Sequence, residues 1–199
     1  MIHTFGDSHA REPWSKIKGI SWNVLLDKKS DEKMDRTMTC SFFGFEKLNA
    51  INIKKYKVSD GDVVCFCLGE LDCRCHIHKY KESYKELIER IVDNYLLAIK
   101  ANAEQFANLK VIVVSVTPPL PEKYYKDRIR YPMLGSDAER VMYTRYMNQK
   151  IKEKCQEYRF LDMYDKYCDK DGLLNLAYSD KICHIINPVF AKSELNKLL

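Results

Sequence analysis

The opening stretch, Met1-Ile2-His3-Thr4-Phe5-Gly6-Asp7-Ser8-His9, sets a short apolar run directly against a Gly-Asp-Ser turn. Residues 1–5 read as a first β-strand, so Ser8 stands just past its carboxyl end, where open α/β sheets gather their chemistry. The same pattern recurs along the chain. Residues 62–68 (Asp62-Val63-Val64-Cys65-Phe66-Cys67-Leu68) and 110–116 are nearly continuous apolar runs, as expected of strands covered on both faces. Residues 18–26 and 158–162 supply two more strands, and Thr117-Pro118-Pro119-Leu120-Pro121 stops the one before it. Between the strands, residues 83–105 carry Leu87, Ile91, Tyr95 and Ala98 at helical spacing, and residues 137–157 carry Val141, Tyr143, Met147 and Ile151. This alternation predicts an α/β fold: a three-layer α/β/α sandwich around a mostly parallel five-stranded sheet.

A length of 199 residues with 46% hydrophobic content suffices for one sizeable core, so residues 1–199 are read as one domain. The 33 basic and 28 acidic residues are interspersed, which argues against a nucleic-acid footprint and against a membrane-surface patch. No apolar stretch reaches the ~18 residues that cross a bilayer, and Asp7, His9 and Arg11 interrupt any leader, so a cytoplasmic protein is expected. Reduced thiols go with that compartment.

Near the other end lies Ser179-Asp180-Lys181-Ile182-Cys183-His184. With Ser8 it can supply a nucleophilic hydroxyl, an imidazole to take its proton and a carboxylate to fix the imidazole's tautomer. The plainer alternative is a Gly-Asp-Ser turn and a surface Asp/His pair one helical turn apart.

Gly6-Asp7-Ser8 beside the first strand, with Asp180 and His184 near the carboxyl end, resembles the first and last blocks of the SGNH (GDSL-type) hydrolase superfamily. The resemblance spans nearly the whole chain. It implies a flavodoxin-like sheet, Ser8 as nucleophile, His184 as base and Asp180 as its orienting carboxylate; no cofactor is expected. Two departures stand out. The family usually has two residues between that Asp and His, and here there are three. Its third block, usually Gly-x-Asn-Asp, corresponds to Gly69-Glu70-Leu71-Asp72-Cys73-Arg74, which lacks the oxyanion-binding Asn. The Gly-Glu-Leu-Asp-Cys-Arg-x-His run is closer to a divergent SGNH-like subgroup than to the standard esterases.

An oxyanion needs preorganised donors, so another group must stand in for the Asn. Arg74 and the Ser8 amide are the candidates, with Gly44 as the second-block glycine and Asp7 and Asp72 as flanking site residues. The alternative for Arg74 is a structural ion pair with Glu70 or Asp72. Cys65, Cys67, Cys73 and Cys75 lie close to His76 and His78, but Cys65-x-Cys67 on one strand face points into the core and Arg74 repels a dication, so no metal is expected there. His9, His76 and His78 are read as surface or supporting residues. The loop 121–132 mixes tyrosines with basic residues, suited to stacking on a sugar ring beside an anionic group, or else to anchoring a solvated lid.

These features predict a serine-dependent esterase or acyltransferase that adds or removes an acyl group, in the first place acetyl, on a carbohydrate through an acyl-Ser8 intermediate. The alternative is a catalytically degenerate SGNH-like module that binds a glycan or a protein. The expected partner is a small-molecule or glycan acyl substrate, and the oligomeric state is left open. No Gly-x-Gly-x-x-Gly or P-loop motif follows any strand, which disfavours a nucleotide-binding protein.

Overall fold

A computed structural model describes residues 1–10, 14, 17–23, 52–125 and 132–199. Five strands, β1 (Ile2–Gly6), β2 (Ile20–Asn23), β3 (Val63–Cys67), β4 (Lys110–Val114) and β5 (Arg159–Leu161), form one sheet in the order β2-β1-β3-β4-β5. Every pairing is parallel. The expected three-layer α/β architecture is therefore present, with all five strands parallel.

Side chains alternate between two cores because successive strand residues face opposite sides. Val64 and Phe66 of β3 and Val111 and Val113 of β4 point to one face. There they meet Leu87, Ile88 and Ile91 of α1 (Tyr84–Ala103) and Met147 and Ile151 of α2 (Asp137–Lys154). Val63, Cys65 and Cys67, with Ile112 and Val114, point to the other face, against Tyr167, Leu174, Ile185 and α3 (Val189–Leu198). Each large apolar side chain so enclosed contributes about 1.5–3 kcal/mol relative to exposure. Cys65 and Cys67 thus share one core face, as their spacing predicted, and the described cysteines are unbridged.

Strand β1 is as long as expected but shifted by one residue, and the other four strands are shorter than their apolar runs by two residues or more. The second expected strand, residues 18–26, is a strand from Ile20 to Asn23, and residues 24–26 lie outside the described residues. Helix α2 differs more in its packing. Its buried residues are Arg140, Thr144, Met147, Asn148 and Ile151, whereas Val141 and Tyr143 are only half-buried. Arg140 is tolerated inside because its guanidinium donates to the carbonyls of Leu134 and Gly135 and pairs with Asp137. Asn148 accepts from the amide of Val116 at 2.7 Å and donates to that residue's carbonyl at 3.0 Å. These bonds satisfy Asn148 and the terminal nitrogens of Arg140, although Arg140 Nε has no hydrogen-bond partner among the described residues, and hydrophobic periodicity cannot register such pairings.

Helix α2 starts with a capping box, Ser136 and Glu139 satisfying each other's backbone amides. No helix among the described residues is long and apolar enough to cross a membrane.

Candidate active site

The carboxyl end of β1 is held in a tight turn that depends on Gly6. A Cβ built there would lie 2.0 Å from the carbonyl oxygen of Cys67 on the neighbouring β3 and 2.9 Å from Cβ of Ala10. With no side chain in the way, the backbone passes close to β3 and turns into a short 3-10 helix, Ser8–Ala10. Thr4 locks the turn by donating its hydroxyl to the carbonyl of Ala10 at 2.6 Å. Ser8 is left half-buried at its start.

The other half of the site comes from the loop before α3. An isolated antiparallel bridge between Ser179 and Ile185 closes it. Inside, Asp180 Oδ1 accepts from the amides of Ile182, Cys183 and His184, at 2.7, 3.1 and 3.0 Å. Lys181 takes a left-handed conformation, φ 60°, that accommodates the third residue between Asp180 and His184. The carboxylate's other oxygen, Oδ2, accepts from His184 Nδ1 at 2.6 Å. Because a carboxylate only accepts, Nδ1 carries the proton and the lone pair of Nε2 points away from Asp180. Ser8 Oγ donates to that Nε2 at 2.8 Å, across 176 positions of sequence. Hydroxyl, imidazole and carboxylate are one hydrogen-bonded chain.

His9, expected at the surface or in support, is 5% exposed and lies within this site. Its ring centroid is 5.2 Å from that of His184. Asp7 Oδ1 accepts from both the amide and Nδ1 of His9, each at 2.8 Å, and His9 Nε2 donates to the carbonyl of Cys183 at 3.1 Å. Asp7 thus holds His9, and His9 ties the turn carrying Ser8 to the loop carrying His184. Burial works against charge on both partners, yet their mutual attraction and hydrogen bonds prevail, so His9 is raised well above an ordinary imidazole and Asp7 falls below an ordinary carboxylate. Only the tertiary fold reveals the role of His9, whose one sequence signal is adjacency to Ser8.

Cys183 completes the cluster. Its Sγ is 3.4 Å from His184 Nε2. Burial alone would push this thiol up, but hydrogen bonds to His184 and His9 and the charge on His9 hold it below the usual thiol range. For His184, burial favours the neutral ring, and the bonds to Cys183 and Asp180 outweigh both that and repulsion from His9, leaving its pKa raised.

Arg74 lies in a π-helical turn, Asp72–His76, after β3. It forms the ion pair with Glu70 that the sequence allowed, Nε to Oε1 at 2.6 Å and Nη2 to Oε2 at 3.1 Å, and Nη1 donates to the hydroxyl of Tyr125 at 3.0 Å. Its guanidinium also lies 5.4 Å from the Tyr125 ring centroid. Asp72 is fully buried, and neither carboxyl oxygen has a hydrogen-bond partner among the described residues. Burial, then the nearby charges of Asp7 and Glu70, push its pKa well above that of an ordinary carboxylate. Gly44 and residues 126–131 of the tyrosine-rich loop lie outside the described residues.

A GDSL-like lipase from Bacteroides thetaiotaomicron aligns over 100% of this chain and 88% of its own, with TM-score 0.55 and 16% identity. The fold is that of the GDSL-type hydrolases. A protein from Streptococcus pneumoniae described as a platelet activating factor shares it over 100% of this chain and 83% of its own, with TM-score 0.64 and 17% identity. So does a protein from Bacteroides fragilis described as an acylhydrolase, over 99% of this chain and 86% of its own, with TM-score 0.55 and 15% identity. No family model matches the chain, and neither does any curated protein. In the GDSL-type fold seen here, β1 and the loop before α3 meet at the carboxyl edge of the sheet.

Proposed function

We propose that this protein is a serine-dependent acyl hydrolase or acyltransferase that works through an acyl-Ser8 intermediate. The supporting observation is the continuous hydrogen-bonded chain from Ser8 Oγ through His184 to Asp180, with bonds of 2.8 and 2.6 Å. In the first half-reaction His184 Nε2 takes the Ser8 proton as Oγ attacks the acyl carbonyl, and the resulting imidazolium then protonates the leaving group. In the second, His184 activates an acceptor, water for hydrolysis or a hydroxyl for transfer. Asp180, already bonded to three backbone amides, keeps the imidazole in the required tautomer throughout. The Ser8 amide and Arg74 are the proposed oxyanion donors.

A small acyl group on a carbohydrate is the substrate class that fits best. The sequence has no long apolar segment to cover a lipid tail, and Tyr125, hydrogen-bonded to Arg74, belongs to the tyrosine-rich loop suited to a sugar face.

A fluorophosphonate probe tests the chemistry directly, since only an activated hydroxyl reacts. Covalent labelling is expected at Ser8, at a rate that rises with pH as His184 loses its proton. Because the bonds to Cys183 and Asp180 raise the pKa of His184, the midpoint should lie above the ordinary imidazole value of about 6.5. A folded protein whose Ser8 stays unlabelled across the pH range would support the degenerate binding module. Products formed from acetylated sugars, with and without a sugar acceptor, then separate hydrolysis from transfer.

Arg74→Ala separates oxyanion binding from structural support. Turnover is expected to fall about 10²-fold. Stability falls as well, because buried Glu70 loses its partner. Adding Glu70→Gln in the same chain should recover much of the stability, read by thermal melting, without restoring turnover. Recovery of both would assign Arg74 to structure alone.

A further inference from the structure

The Ser8 to Asp180 chain leaves one group of potent ligand atoms unexplained. Among the described residues, His9, Cys183 and His184 each offer a nitrogen or sulfur atom within 4.8 Å of the others. We propose that these three side chains form a binding site for a thiophilic divalent ion such as zinc, and that an ion held there silences Ser8.

The geometry fits such an ion. Zinc binds imidazole nitrogen at about 2.0–2.1 Å and thiolate sulfur at about 2.3 Å, so tetrahedral N and S ligands stand about 3.5 Å apart. Cys183 Sγ and His184 Nε2 are separated by 3.4 Å. Both histidines are also oriented from behind: Asp7 holds Nδ1 of His9 at 2.8 Å, and Asp180 holds Nδ1 of His184 at 2.6 Å. Each therefore presents Nε2 inward, the carboxylate-histidine-metal arrangement that fixes a ligand's tautomer and raises its basicity. One thiolate with two imidazoles selects zinc, copper or cobalt over magnesium or calcium, whose preferred ligands are oxygens.

Binding exchanges hydrogen bonds for coordination. The Cys183 thiol releases its proton to solvent, and His9 Nε2 gives up its bond to the Cys183 carbonyl along with that proton. Ser8 and His184 are partly exposed while Cys183 is 6% exposed, so the ion enters from the Ser8 side. There, Ser8 Oγ or a water can complete the tetrahedron. Silencing follows because the lone pair of His184 Nε2 cannot hold both the ion and the Ser8 proton. That clause rests on the acyl chemistry proposed above; the binding itself does not.

Cobalt(II) is the probe, added to the metal-free full-length chain. One equivalent should produce a thiolate-to-cobalt charge-transfer band with tetrahedral ligand-field bands, and one equivalent of zinc should erase them. Cys183→Ala should remove the charge-transfer band, and His9→Gln should weaken cobalt binding at least tenfold. In the unmutated chain, zinc should shield Cys183 from alkylation in peptide mapping, a readout that needs no variant to fold. A missing band, a band that survives Cys183→Ala, or undiminished alkylation of Cys183 would overturn the site. Zinc should also block fluorophosphonate labelling of Ser8, with a chelator restoring it. Labelling indifferent to bound zinc would overturn silencing, whereas tight binding beside a Ser8 that never labels would uphold the ion site and remove the acyl chemistry.

Discussion

Replacing Ser8 with alanine should lower turnover of an activated acetyl ester by about 10⁴-fold or more, and replacing His184 should cost as much, because the two act as one device. A bare serine hydroxyl is a weak nucleophile, and in the proposed mechanism the 2.8 Å bond to His184 Nε2 lets it shed its proton as it attacks. The double variant should be no slower than either single one. Asp180→Asn should approach the same loss, since an amide in place of the carboxylate can bond either imidazole tautomer and leave the proton on Nε2. Steady-state rates on these variants, with circular dichroism to confirm folding, settle the matter. A Ser8→Ala protein retaining turnover within tenfold of the parent would remove Ser8 from the chemistry.

The second large effect is on stability. Gly6→Ala places a methyl group 2.0 Å from the Cys67 carbonyl oxygen, far inside contact distance, and the obstacle is backbone in the centre of the sheet. Neither β1 nor β3 can retreat without breaking their parallel ladder, which runs from Ile2 opposite Val63 to Gly6 opposite Cys67. The expected loss is about 3 kcal/mol or more, at the upper end for overpacking. Denaturant titration measures it. Unchanged stability would mean that the turn into Ser8 has slack the close approach does not suggest. In a variant that still folds, Ser8 should be displaced, so fluorophosphonate labelling should fall along with stability.

Local pattern made much of the fold legible. Strand β3 is VVCFC, apolar at every position, and all five residues are buried. A strand with helices on both faces has no polar side to display, so its sequence reads as an unbroken run. Helix α1 was legible for the complementary reason, its apolar residues recurring every three or four positions. Helix α2 was legible as a helix and misleading as a surface. Its inward face includes Arg140, Thr144 and Asn148, held by the carbonyls of Leu134 and Gly135 just before the helix, by the carbonyl of Arg140 one turn back, and by the backbone of Val116 across the fold. The terminal helix α3, ten residues with Val189 and Phe190 at its start, drew no expectation.

Within the candidate site, residue types and order along the chain brought Ser8, Asp180 and His184 under suspicion, and Arg74 was singled out by the missing Asn. Strand periodicity also located Ser8 at the carboxyl edge of the sheet, because short-range sterics and alternating burial act over a few residues. Tertiary packing alone decided that His184 reaches Ser8, that Asp7 serves His9 instead of a ligand, that Arg74 is shared between Glu70 and Tyr125, and that Cys183 stands against both imidazoles. Each of these depends on distances between segments up to 176 positions apart, and such distances are set by how the two cores close on the sheet. Hydrophobic spacing carries no information about them, since a side chain's partner is chosen by the layer it lands in, not by its neighbours in sequence.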